Sequence, residues 1–300
     1  MTPREASGLS RAWGGGAKLA AALMSGALAA WAVPAAAQVV APSSAERTIK
    51  DPAEFDAYMQ AERLTDPAAR ASAMEAFVAA YPRSVERVGA LEQAMAAYQR
   101  QGDEAKVADA AQRILDDQPK NIRALAVITA IEREHANAGD GSQLAAMRAH
   151  AETGLAELAA WKKPGDMGDE TFKTLRDTMT VVFDGARAFA LLQAKEFDAA
   201  RSAYLKALDI DPSGLENAYQ LGVTELQLRP VDVEGFWWLA RAEDLAGAQH
   251  NGAVQQAVAN YARGKYAAYH GSDDGWNDIV IDAADKPAPP DGFEVTAAGK

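Results

Sequence analysis

The chain has 300 residues, with 30 basic and 42 acidic side chains and a formal charge of −12. An acidic surface without basic clusters argues against nucleic-acid binding and against adhesion to anionic lipid. The absence of cysteine excludes disulfides, thiol catalysis and thiolate metal sites. Nearly half of the residues are hydrophobic, many of them alanine, which favours helices and lets them approach closely. Runs with period-two alternation are nearly absent; 180–182 and Ile279–Ile281 are the nearest to a strand pattern, and both are short.

Residues 1–37 carry a net +2 from Arg4, Arg11 and Lys18 against Glu5, leaving −14 on the rest. An apolar stretch from Leu19 to Val33 precedes Pro34 and Ala35-Ala36-Ala37. A basic start, a short apolar run and an A-x-A site make a secretory signal peptide. The run is shorter than the roughly 20 residues of a spanning helix. The expectation is cleavage after Ala37 and a periplasmic or secreted protein; retention as a membrane anchor is the alternative. Residues 38–50 read as a flexible leader.

The helical part begins at Asp51. Asp51-Pro52 and Asp66-Pro67 each place a capping acid before a proline in the first helical turn, and Pro82 closes this first unit, Asp51–Ser84. In Val88–Asn121 the turn Gln101-Gly102-Asp103 and Pro119 mark a second helix pair. Ile122–Trp161 reads as a third pair with an enlarged turn, Ala138–Ser142. Residues 51–161 thus form an N-terminal group of degenerate pairs, 162–169 (KKPGDMGD) a loop and seam, and 170–248 a C-terminal group.

Val181–Gly214 is the clearest unit. With Val181 as its first residue, small side chains fall at the eighth (Ala188), twentieth (Ala200) and twenty-seventh (Ala207) positions; Phe197, Tyr204 and Pro212 stand at the seventeenth, twenty-fourth and thirty-second. Two antiparallel helices come closest at the eighth and twentieth positions, where only a small side chain avoids forcing them apart. Proline at the thirty-second ends the second helix. In Leu215–Ala248, Leu221 and Gly222 hold the seventh and eighth positions, but the second helix, Phe236–Leu245, fits only if the turn near Arg229-Pro230 takes one extra residue.

These markers resemble the tetratricopeptide repeat, a 34-residue helix–turn–helix family. The likeness covers about 51–248, strongly in two units and loosely in three, with departures at Val107 and Ala111 of the second. It implies an all-α solenoid of helix pairs. Val254, Val258, Ala262, Tyr266 and Tyr269 recur at helical spacing and describe an amphipathic helix that would cap the stack. Residues 249–285 are therefore a capping helix and a short further helix, and 286–300, with Pro287, Pro289, Pro290 and Gly292, a disordered tail. The YHGSDDGW stretch (269–276) also resembles the C-terminal ends of uncharacterised bacterial envelope proteins carrying these repeats.

Chemistry is sparse. His135, His150, His250 and His270 never pair at helical spacing, so no two-histidine metal face exists. No phosphate loop and no nucleophile elbow appear, and the acids near Asp273 lack the calcium-loop pattern. The sequence therefore points to no catalytic residue, cofactor or metal site. Trp237 and Trp238 lie about 100° apart on a helix; either they fill core and interface, or they form a platform for a small ligand.

The resemblance implies that the first helices of the pairs line a concave groove. Its groove positions include Gln99, Arg100, Arg133, Phe189, Gln193, Glu216, Tyr219 and Gln227, a mixed polar and aromatic set suited to an extended peptide or a partner helix. The ninth positions, Ala96, Ala130, Phe189 and Val223, lack the asparagine with which family members clamp a C-terminal carboxylate. The expected function is that of a scaffold or adaptor for a protein partner in the bacterial envelope. The alternative is an enzyme or ligand-binding protein with its site near Trp237, Trp238 and His270.

Overall fold

The computed structural model describes residues 48–165 and 167–299. Among them are twelve α-helices and no strand: α1 (Pro52–Glu62), α2 (Pro67–Ala80), α3 (Arg87–Gln101), α4 (Glu104–Asp117), α5 (Ile122–Asn137), α6 (Leu144–Ala160), α7 (Asp169–Gln193), α8 (Phe197–Ile210), α9 (Leu215–Glu225), α10 (Glu234–Ala248), α11 (Gly252–His270) and α12 (Trp276–Ala284). The protein is all-α, and consecutive helices pack as pairs in a solenoid-like order. Both short strand candidates are helical, within α7 and α12. The expected signal peptide and most of the expected leader lie outside the described residues. No helix among the described residues is long and apolar enough to cross a membrane.

Two compact units are present. The N-terminal unit takes the described residues up to Glu132 together with Ala149–Met179; the C-terminal unit takes Arg133–Arg148 and everything from Thr180 onward. The division therefore falls within α5, α6 and α7, not at the 162–169 loop. That loop does interrupt the helices, but α7 continues for 25 residues beyond it and serves both units with one uninterrupted backbone.

In the N-terminal unit α1 packs on α2, α2 on α3 and α3 on α4. The starts are fixed as the sequence suggests: Asp51 accepts from the Ala53 amide at 2.8 Å and Asp66 from the Ala69 amide at 2.8 Å. These bonds satisfy amides that the first helical turn leaves without partners. Gly102 ends α3 with φ +70°, a left-handed conformation that costs a side-chain-bearing residue more than glycine. Met74, Leu91, Met95 and Ile114 are fully buried.

In the C-terminal unit α8 packs on α9, α9 on α10, and α10 on both α11 and α12. Ala188, Ala200 and Ala207 are wholly buried, as the small-residue positions require. The α9–α10 crossing is tighter still. A Cβ on Gly222 would stand 2.8 Å from the Gly235 carbonyl oxygen, and one on Gly235 would stand 2.8 Å from the Gly222 carbonyl oxygen. Allowing the one extra turn residue puts Gly235 at the twentieth position, so both close-approach positions of this unit are glycines. The turn itself is longer than that single insertion suggests, because α9 stops at Glu225 and α10 starts only at Glu234.

Val254, Val258, Ala262 and Tyr266 of α11 are buried against the core, and Gly271 (φ +102°) ends that helix. Trp276 is fully buried and donates from Nε1 to Oε2 of the buried Glu243 at 2.9 Å.

The tail departs from the expectation of disorder. Residues 286–299 are non-helical, yet Phe293 and Val295 pack on the core. Phe293 meets the Trp237 ring edge-on with centroids 5.5 Å apart. The Ala298 amide donates to the Tyr269 carbonyl at 2.8 Å, and His270 Nδ1 lies 2.8 Å from the Thr296 carbonyl oxygen. Proline and glycine exclude a helix here, but two apolar side chains suffice to hold an extended segment on the core.

Candidate functional site

The predicted groove residues divide into three sets. Gln99 and Arg100 end α3 in the N-terminal unit, the first half-buried and the second exposed. Gln193 and Gln227 are half-exposed in the C-terminal unit. Arg133, Phe189, Glu216 and Tyr219 are not groove surface in the expected sense, because three of them are buried and the fourth is spent on an internal pair.

Arg133, near the end of α5, is 7% exposed. Its Nη1 donates to the Gly185 carbonyl and its Nη2 to Glu216 Oε1, while the guanidinium lies 4.7 Å from the Phe189 ring centroid. Asn137 Nδ2 adds a bond to the same Glu216 oxygen at 2.7 Å. A Cβ at Gly185 would stand 2.9 Å from Asn217 Oδ1, so glycine is what lets α7 come so near. Three groove positions thus converge, but on one another: a carboxylate, a carbonyl and an aromatic face replace the water that burial takes from the guanidinium. Tyr219 is 2% exposed and meets Tyr261 of α11 edge-on at 5.7 Å. Burial raises both phenols, Tyr261 to about 12. The helix expected to cap the stack covers Tyr219, which the groove positions taken alone do not reveal.

The aromatic ligand platform is likewise closed. Trp237 is 1% and Trp238 3% exposed, with Phe293 and the Lys286 ammonium (5.7 Å from the centroid) over the Trp237 ring. His270 is engaged with the tail.

An open depression of about 770 Å³ lies in the C-terminal unit between the α7–α8 turn, Lys195–Ala199, and the α9–α10 loop, Gln227–Val233. Local chemistry shapes both walls. Lys195 turns the chain at φ +61°. On the other side Arg229 Nη1 donates to the Leu228 carbonyl at 2.7 Å and the Gln227 carbonyl at 3.2 Å, placing a cation over the carbonyl end of α9, where the helix dipole favours it. Asp232 Oδ1 accepts from the Glu234 amide at 3.1 Å, which helps start α10. Lys195 and Arg229 stand among Glu196, Asp198 and Asp232 on a wall that also carries Phe197, Leu228 and Val231.

Beside this depression stands a cluster that the sequence reading missed. Glu225 (α9), Asp232 (loop) and Glu234 (α10) each offer a carboxylate oxygen within 4.8 Å of the others. Arg201 of α8 donates from Nε to Glu225 Oε1 at 3.0 Å and from Nη2 to Glu234 Oε2 at 3.3 Å, and its Nη2 is 3.2 Å from Asp232 Oδ2. The Glu225 side chain is fully buried, and Oε2 has no hydrogen-bond partner. Burial, augmented by the charges of Asp232 and Glu234, outweighs Arg201 and pushes the Glu225 carboxyl up to about 8. The acids come from a helix end, a loop and a helix start, so no short motif unites them. The one available signal was an over-long turn carrying two acids.

No family model matches the chain, and no curated protein matches it either.

Proposed function

We propose that this protein is an exported adaptor of tetratricopeptide type that binds a protein or peptide partner in the bacterial envelope. The observation that carries the binding reading is the depression bounded by Lys195–Ala199 and Gln227–Val233: it mixes both charges with apolar side chains on a solvent-open wall. Such a lining suits the rim and centre of a peptide contact. The helix-pair order and the small residues at Ala188, Ala200, Gly222 and Gly235 support the family reading. Lys18, the apolar run and Ala35–Ala37 support export.

Catalysis is the weaker reading. Glu225, whose carboxyl is pushed toward neutral pH, does not line the depression, and a general acid or base must reach its substrate. The aromatic C-terminal segment is covered by its own tail.

Affinity capture from an envelope fraction tests the proposal. Wild type should recover a specific partner. Gln227→Ala combined with Arg229→Gln, which removes the charge but keeps a donor for the carbonyls, should reduce recovery tenfold or more, about 1.4 kcal/mol, with helicity retained. Lys206→Glu, on the exposed part of α8, should recover the partner normally. Normal recovery by the double variant, or loss through Lys206→Glu, would reject this site.

A further inference from the structure

We propose that Glu225, Asp232 and Glu234 form a site for a hard divalent cation, calcium by chemical class, at the inner edge of the depression. The three carboxylates already converge within 4.8 Å, so no large backbone movement is needed to assemble them. Their ligand atoms are all oxygens, the donor set of hard cations rather than of zinc or copper. All three acids flank or belong to one irregular loop, which tolerates the variable geometry of calcium better than the strict octahedron of magnesium.

Charge and hydrogen bonding point the same way. Arg201 supplies one positive charge against three acids. It engages Oε1 of Glu225, Oδ2 of Asp232 and Oε2 of Glu234, leaving on each carboxylate a second oxygen that the guanidinium does not hold. One of these, Glu225 Oε2, is buried and without any partner. An orphaned carboxyl oxygen in a water-poor site is costly unless a cation or proton meets it. Asp232 also lines the depression, which gives an ion a path from solvent.

The cluster requires nothing of the adaptor reading, and its test uses no partner. Purified protein is stripped with chelator and titrated with calcium chloride, following heat and the thermal midpoint; magnesium chloride is a parallel arm. One ion should bind per chain, with a dissociation constant of about 10⁻⁴–10⁻³ M or lower, as for other exported calcium modules, and raise the midpoint by about 3 °C or more. Magnesium should bind at least tenfold more weakly. Asp232→Asn keeps the oxygen that caps Glu234 while removing a charge, so it should fold normally and bind calcium at least tenfold more weakly; Glu234→Gln should do the same. A folded wild type with neither heat nor a midpoint shift would overturn the site. So would equal calcium shifts in wild type, Asp232→Asn and Glu234→Gln.

Discussion

The two compact units use one architecture but handle polarity differently. In the N-terminal unit most charged pairs stay toward water, as in Arg113 with Glu75 and Arg87 with Asp117, whose side chains keep about a quarter or more of their exposure; the buried Glu132, 3.0 Å from His150 Nδ1, is the exception. In the C-terminal unit charge goes inside. Of the described residues that are polar or charged and buried, only Thr129 and Glu132 belong to the N-terminal unit; the Arg133–Glu216, Arg201–Glu225 and Trp276–Glu243 contacts all lie in the other. Exposed pairs contribute little to stability, whereas removing one partner of a buried pair strands the other without water. Geometry in the C-terminal unit is therefore held by polar contacts that are hard to alter singly, and that unit also carries the depression and the acidic cluster.

The largest effect should come from setting these pairs against each other. Arg133→Ala leaves Glu216 and the Gly185 carbonyl without their shared donor and should cost about 3–5 kcal/mol. Arg113→Ala in the N-terminal unit should cost about 0–1 kcal/mol. Chemical denaturation measures both; equal losses would erase the contrast.

Overpacking comes next. Ala188→Leu and Ala200→Leu, both at fully buried positions, should each cost about 1–3 kcal/mol, while Lys195→Leu in the intervening turn should melt close to wild type. If all three melt alike, the repeat register is wrong.

A smaller effect is expected from the tail. Phe293→Ala removes a partly buried ring from Trp237 and should cost about 1–2 kcal/mol, with a change in tryptophan fluorescence because Trp237 gains water. An unchanged spectrum would mean that the tail does not shield this ring. The smallest effect is a gain: Lys195 holds φ +61°, so Lys195→Gly should stabilise by about 0.5–1 kcal/mol.

Local and periodic features were legible in the sequence, and features built from distant contacts were not. Asp51 and Asp66 cap helices because the capping side chain and the amide it accepts from are near neighbours. Ala188, Ala200 and Gly222 mark close helix approach because only a small side chain, or none, fits there, and the stripe from Val254 to Tyr266 marks one buried face of α11. Tyr219 looked like groove surface because repeat position says nothing of which later helix lies on it; Tyr261 of α11 does. Arg133 and Glu216 were each placed on a common wall, but their pairing depends on tertiary approach at Gly185. The acids of the cluster are brought together by a loop whose length the register underestimated, and by Arg201 from a different helix. The proline-rich tail was legible as non-helical, but its docking depends on Phe293 finding Trp237.

The claim that the depression is where a partner binds is tested most directly by site-specific photo-crosslinking in intact cells. A photoreactive residue replaces Gln227 in one strain and Lys206 in another. The account predicts a discrete crosslinked protein from Gln227 that is absent from Lys206. A crosslink from Lys206 alone, or none from Gln227 in correctly folded and exported protein, would contradict it.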